Sequence, residues 1–429
     1  MKKLLFLTFF LSAMLTASAE GVGKYVGGDI SLLLRYEQAG DIYLDGDGKD
    51  IPDLIQWLRN SCGWNTFRVR LFVNPNGKSN DGKSEDPAVC QDLEYVKNLG
   101  KRIKDAGGLF MLDFHYSDTW VDALHIQSPA AWKGLSDADM AKKLGEYTTE
   151  CLEYLNANGA TPDFVQVGNE IMYGLCDIKV WPYENSQANW TGFLGLLKAG
   201  CNAVRAKCPK AQIIIHTDRP TNSSYNTYFY NKLINGGVDF DVIGLSYYPF
   251  WHGYLSSLKG ALGSLATTFP SKKVQIVESA YYFQYWPGGS DVTDTRSTWP
   301  ASPDGQYKFV KDLFAALKSY PQVEGYSYWC PEEAGNGYNG FKVIAGWINR
   351  GLWWPENTST RRHWPLKASE GMVHYLMKDF LSKEAAGISK AAAPAQHKSA
   401  TARTVTDGKH IYIEKADGKR YTLSGNQIY

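Results

Sequence analysis

Short apolar runs, many of them β-branched, alternate along the chain with longer stretches whose apolar positions recur at helical spacing. The short runs are residues 24–31, 66–73, 108–116, 163–170, 212–218, 241–249, 273–279 and 323–329. Helical periodicity follows at 50–60, 92–107, 140–159, 191–208, 230–237, 255–269, 305–320 and 368–381. Eight strand-then-helix units predict an α/β fold, a (β/α)8 TIM barrel. The rival, a doubly wound open sheet, usually has fewer strands and a glycine-rich phosphate turn after the first. No such turn follows the first strand; the strings that match GxxxxGK[ST] (77–84) and GxGxxG (335–340) come after the second and eighth apolar runs, outside that context.

The alternation stops after residue 382, so the barrel is assigned to 20–382. Residues 383–402 have the Ala/Ser/Lys-rich composition of a linker. Residues 403–429 read as short strands with turns at Asp407-Gly408 and Asp417-Gly418-Lys419, a tail too short to build its own core. At the other end, residues 1–19 carry Lys2 and Lys3, an apolar stretch from Leu4 to Leu15 and the small-x-small site Ala17-Ser18-Ala19. This is the pattern of a secretory signal cleaved after Ala19, and export to the periplasm or medium is expected. The apolar stretch is short for a membrane span, and no other stretch offers one.

Composition narrows the partners. With Lys+Arg 45 against Asp+Glu 44 there is no basic excess to track phosphates, and nucleic acid is not expected as a partner. A hydrophobic fraction of 44% promises a core large enough to do without disulfides, so most of the seven cysteines are read as buried thiols. A Cys201–Cys208 bond stays open at this level. The chain is read as a monomer. Fourteen Trp and 27 Tyr supply either core or flat surfaces for sugar rings.

In such a barrel the active site lies at the C-terminal ends of the strands. The polar residues there are Arg68 and Arg70, then Asp113, His115, Ser117, Asp118 and Trp120. Next come Asn169 and Glu170, His216 and Asp218, Ser246, Tyr247 and Tyr248, Glu278, and finally Tyr328 and Trp329. A single strand-end Glu is most often an ordinary ion pair. Two of them, on the fourth and seventh strands across the barrel from each other, point to convergence over a ligand. Paired carboxylates with aromatic walls suit glycoside hydrolysis, one as acid and the other as nucleophile or base. Arg68 beneath Glu278 would keep that residue ionised, and Glu170 would hold its proton through burial and the nearby negative charge. Asn169 is placed to hydrogen-bond a sugar hydroxyl. This chemistry needs no metal or cofactor.

The segments "GGDISLLLRYEQAG", "NTFRVRLFVNP", "LDFHYSDTWVD", "SPAAW", "QVGNEI" and "LSYYPF" together resemble glycoside hydrolase family 53, the endo-β-1,4-galactanases, from about residue 25 to 330. The resemblance implies a retaining mechanism on β-1,4-galactan or its oligosaccharides. It implies Glu170 as acid/base and Glu278 as nucleophile. Asn169 and Arg68 match residues beside them. His115, Trp120, Asp218 and Tyr248 fall on motif positions near the substrate. The chain departs from the family at "YSYWCPEEAGNG", where Glu332 and Glu333 are shifted, and in the extra length of residues 173–186, which is expected to reshape one end of the cleft. Neither "DGDGKD" (45–50) nor the stretch with Asp291 and Asp294 has full calcium-ligand spacing, so no metal site is assigned. Trp120, Trp329 and Trp353 are picked for sugar stacking. The other loop tryptophans, Trp132, Trp181, Trp251, Trp286, Trp299, Trp347 and Trp354, are read as packing. The alternatives are another glycanase of the same clan, acting on mannan or glucan, and a non-catalytic sugar-binding barrel.

Overall fold

Eight parallel strands close into a barrel in chain order: β1 (Tyr25–Asp29), β2 (Thr66–Leu71), β3 (Leu109–Phe114), β4 (Phe164–Val167), β5 (Gln212–Thr217), β6 (Val242–Ser246), β7 (Lys273–Glu278) and β8 (Val323–Trp329). β8 pairs with β1 to complete the ring. The computed structural model describes residues 23–182, 185–284, 293–334, 349–355 and 360–382, together with the strands of the tail. All eight expected strands are present, and the fold is a (β/α)8 TIM barrel.

Side-chain alternation explains both sides of the wall. Met111, Phe164, Ile214, Val242 and Val277 form a small apolar plug inside the barrel. Two residues further along the same strands, Asp113, Gln166 and His216 point the same way, as does Ser246 four residues beyond Val242, and all four are buried and polar. The plug is thus floor to a polar layer at the C-terminal mouth. The alternate positions, such as Val69, Leu112, Val165, Ile213 and Ile243, join the larger core under the helices. Gly27 lets β1 approach β2, because a Cβ there would sit 1.6 Å from the carbonyl oxygen of Thr66.

The main outer helices are α1 (Leu54–Cys62), α2 (Leu93–Asp105), α3 (Asp137–Ala157), α4 (Gln187–Lys207), α5 (Ser223–Asn235), α6 (Leu255–Thr268) and α7 (Pro303–Leu317). Asp53, Asp92, Ser136, Ser186, Asn222 and Ser302 cap six of them by accepting from a backbone N–H in the first turn. α5 begins earlier than the sequence pattern suggests, because the Asn222 cap starts a first turn whose mixed polar and aromatic residues hide the period. The helix expected at 368–381 is reduced to two short turns, Val373–Leu376 and Met377–Phe380. Gly371 before them has φ 140°, outside helical geometry.

A three-stranded sheet of Ile42–Tyr43, Arg362–Pro365 and Trp353–Pro355 was not anticipated. It corrects the reading of Trp353. That ring is fully buried, 4.2 Å from the His374 ring and 5.1 Å from the Tyr43 ring, and is core rather than a sugar platform. All seven cysteines are free, Cys201 and Cys208 included. The "DGDGKD" stretch is a turn in which the Asp45 carboxylate accepts from the N–H groups of Asp47 and Lys49. Asp294 pairs with Arg296, while Asp291, Trp286 and Trp347 lie outside the described residues. Among the described residues no helix is long and apolar enough to cross a membrane, and no group of three His, Cys, Asp or Glu could hold a metal. Residues 390–429 form a separate unit with a three-stranded antiparallel sheet, Arg403–Thr406, Ile411–Glu414 and Arg420–Tyr421.

Candidate active site

Arg68 organises the mouth of the barrel. Projecting inward from β2, it uses all five of its N–H groups. Nη1 reaches Asp29 and Glu278 at 2.8 Å each. Nη2 reaches Asp113 and the Asn169 carbonyl oxygen, also at 2.8 Å. Nε donates to Gln166 at 3.3 Å. One guanidinium therefore ties together residues from β1, β3, β4, β7 and the turn after β4. Gln166 in turn donates to Asp113 at 2.6 Å, which fixes its amide orientation. Arg70, two residues on, has no hydrogen-bond acceptor for its buried guanidinium among the described residues; it lies 3.6 Å from Asp29 and 4.4 Å over the face of Trp120.

Glu170 follows β4 through a tight turn. Gly168 takes φ 90°, and Glu170 itself takes φ 45° and ψ 47°. A non-glycine residue in the left-handed region carries strain of roughly 1 kcal/mol, the kind of conformation that recurs at functional sites. Glu278 ends β7 where the pairing with β6 slips between Ile276 and Glu278. A bulge of this kind re-aims a side chain: Val277 stays in the barrel plug, and Glu278 still lines the cleft.

Ser246 joins the two carboxylates. Its Oγ lies 2.6 Å from Glu170 Oε1 and 3.4 Å from Glu278 Oε2, which keeps these oxygens within about 6 Å of each other. His216 Nε2 is 2.8 Å from the same hydroxyl. His216 Nδ1 faces the Gln166 amide N–H at 2.9 Å, the Asn169 carbonyl oxygen at 3.1 Å and the Glu170 backbone N–H at 3.4 Å; since that carbonyl already accepts from Arg68 and the other two groups donate, Nδ1 accepts. The proton then resides on Nε2. His216 donates to Ser246, and Ser246 donates to Glu170. Burial and the Arg68 charge hold His216 well below its usual pKa, consistent with a neutral ring.

Both carboxyl groups are pushed toward the protonated form, chiefly by burial. Glu170 rises well above the ordinary carboxylate range, with the charges of Glu278 and Asp218 adding to burial. Glu278 rises less, to about 7, because Arg68 opposes burial there. This qualifies the sequence reading. Arg68 does contact Glu278, but it is shared with Asp29 and Asp113, whose charges push Glu278 upward. The order remains that Glu170 is the better proton holder and Glu278 the more easily ionised.

Most of the expected residues meet in one cleft of about 540 Å³. Its lining includes Arg68, His115, Trp120, Asn169, Glu170, Asp218, Tyr248, Glu278 and Trp329. Tyr248 donates to Glu278 at 3.0 Å. Asn169 donates to the Val121 carbonyl at 2.7 Å and keeps its second amide hydrogen for the cleft. His115 accepts from Val121 N–H and so shapes the loop beside Asn169. Asp218 is raised to about 6 by burial, against the pull of Arg219. Trp353 is absent from this lining. Trp251, Arg219 and Asp122 belong to it and had not been assigned. Asp29, the acidic end of β1, had also been passed over, although a carboxylate ending an apolar strand was there to be read.

The family model described as Glycosyl hydrolase family 53 matches residues 25–365. An arabinogalactan endo-beta-1,4-galactanase of Cellvibrio japonicus (strain Ueda107) is 35% identical over 347 residues, covering 77% of this chain and 86% of the relative. The solved catalytic domain of the Ignisphaera aggregans family 53 enzyme superposes with a TM-score of 0.70 at 30% identity, covering 84% of this chain and 96% of that one. A structure from a study of two fungal beta-1,4-galactanases gives a TM-score of 0.65 at 30% identity, covering 79% and 96%.

Proposed function

The chain belongs to glycoside hydrolase family 53, and from that premise we propose that it is an exported endo-β-1,4-galactanase that retains anomeric configuration. The observation that carries the mechanism is that half-buried Glu170 and buried Glu278 meet on one serine hydroxyl, with the two oxygens that face it within about 6 Å of each other. Retaining enzymes place their carboxyl groups about 5–5.5 Å apart, whereas inverting enzymes need about 6.5–9.5 Å to admit water. In the first step ionised Glu278 attacks the anomeric carbon, and Glu170 gives its proton to the departing oxygen. In the second, Glu278 is an ester and carries no charge. The repulsion that kept Glu170 protonated is gone, and Ser246 donates to the newly ionised carboxylate. Glu170 then takes a proton from the water that cleaves the ester.

The substrate assignment draws on the printed activity of the relatives, and favours β-1,4-galactan in the arabinogalactan side chains of pectin. Export is supported by the charged, then apolar, then small-residue order of residues 1–19. Reducing-end release from β-1,4-galactan, β-mannan, β-glucan and xylan tests the reading. Galactan should be cleaved at least about tenfold faster than the others, a discrimination that a few polar contacts supply. Equal or better cleavage of mannan or glucan would overturn it.

A further inference from the structure

Within the extra length, residues 173–182 form a fixed aromatic step beside the cleft. Gly174–Leu175 and Ile178–Lys179 pair as a small hairpin, and Val180 N–H donates to the Tyr173 carbonyl. Asn189 donates to the Lys179 carbonyl at 2.8 Å, and Asp177 holds the hairpin to the loop after β3 through Ser128 and Lys133. The hairpin is thus tied down at both ends. On it sits Trp181, stacked on Tyr225 at 5.2 Å and 28° and still 39% exposed. Trp190 and Trp299, by contrast, are almost completely buried.

The step is continuous with the cleft. Arg219 lines the cleft and lies 4.9 Å over the ring of Tyr173. Tyr173 meets Tyr225 edge-on at 6.0 Å, and Tyr225 carries Trp181. This run starts beside Asp218, whose charge acts on Glu170. It therefore flanks the acid that protonates the leaving oxygen.

We propose that Trp181, backed by Tyr225, is a distal subsite for the leaving-group end of a long, neutral β-linked galactose chain, reached by way of Arg219 and Tyr173. The inference rests on the galactanase reading above. An open indole face gives a flat apolar surface for the C–H face of a sugar, and its rigid backing limits the ordering cost on binding. Trp181 is not among the residues lining the cleft that holds the carboxylates, so the subsite acts on chain length rather than on chemistry.

The test compares kcat/KM on high-mass galactan with kcat/KM on galactotetraose, in the full chain and in Trp181→Ala and Trp181→Phe. The ratio should fall about five- to tenfold in Trp181→Ala and largely recover in Trp181→Phe. Tyr254→Ala, which removes an aromatic of similar exposure elsewhere, should leave it unchanged. A ratio unchanged in Trp181→Ala, while the parent cleaves galactan, overturns the subsite alone. Equal losses on both substrates also overturn it, since they mark damage to the fold or the chemistry. A parent inactive on galactan would remove the galactanase reading and the subsite with it.

Discussion

Exchanging Glu170 or Glu278 for glutamine keeps the shape of the site and removes one proton donor or one nucleophile. Glu170→Gln and Glu278→Gln should each lower kcat on galactan by about 10²–10⁴-fold or more, with the melting temperature kept or raised, because each carboxyl is held in burial that disfavours its charge. Retention of more than a tenth of the rate would mean the role is misassigned. Ser246 offers a finer test. Its hydroxyl accepts from His216 and donates to Glu170, and that bond favours the ionised acid. Ser246→Ala should therefore raise the pKa of Glu170 and move the basic limb of the pH–kcat/KM profile upward. The second step should slow by about tenfold, the worth of one charge-assisted hydrogen bond. A basic limb that stays in place would show that the hydroxyl does not act on Glu170.

At the scale of elements, the site depends on how closely β1, β2 and β3 hold Asp29, Arg68 and Asp113 together. Gly27 sets the first of these spacings, with no room for a methyl group against Thr66. Gly27→Ala should destabilise the barrel by about 3 kcal/mol or more, read as a lowered urea midpoint, and activity should fall with it. A normal midpoint would show that the strands can part. The strands themselves were legible because their apolar runs are short, repeated eight times and separated by helical periods. The carboxylates Glu170 and Glu278 were legible because each ends such a run. What escaped depends on geometry that the sequence pattern does not carry. Trp353 reads as a loop aromatic until a sheet made of three distant segments closes over it. The Ser246 bridge needs β6 between β5 and β7. The upward push on Glu278 needs the knowledge that one arginine serves three carboxylates.

Across the whole molecule, buried carboxyl groups set a slope of stability with pH. Glu332 is fully buried. Its Oε1 accepts from Leu32 N–H, and its Oε2 has no hydrogen-bond partner among the described residues. Burial, then the charge of Asp29, raises its pKa well above the ordinary range. The folded chain thus retains a proton that the unfolded chain releases, so stability is lost as pH rises from the unfolded carboxylate pKa through the raised folded one. Glu332→Gln keeps the acceptor for Leu32 and removes this ionisation. The melting temperature should then decline less steeply between about pH 5 and 8. A slope equal to that of the parent would place the titration elsewhere.

The anomer first released from β-1,4-galactan, followed by proton NMR from the first minutes of reaction, tests the roles of Glu170 and Glu278 most directly. Glu170 and Glu278 sharing Ser246 predict the β-anomer first, decaying to the equilibrium mixture by mutarotation. The α-anomer appearing first would mean that water, not Glu278, attacks the sugar, and the mechanism would be contradicted.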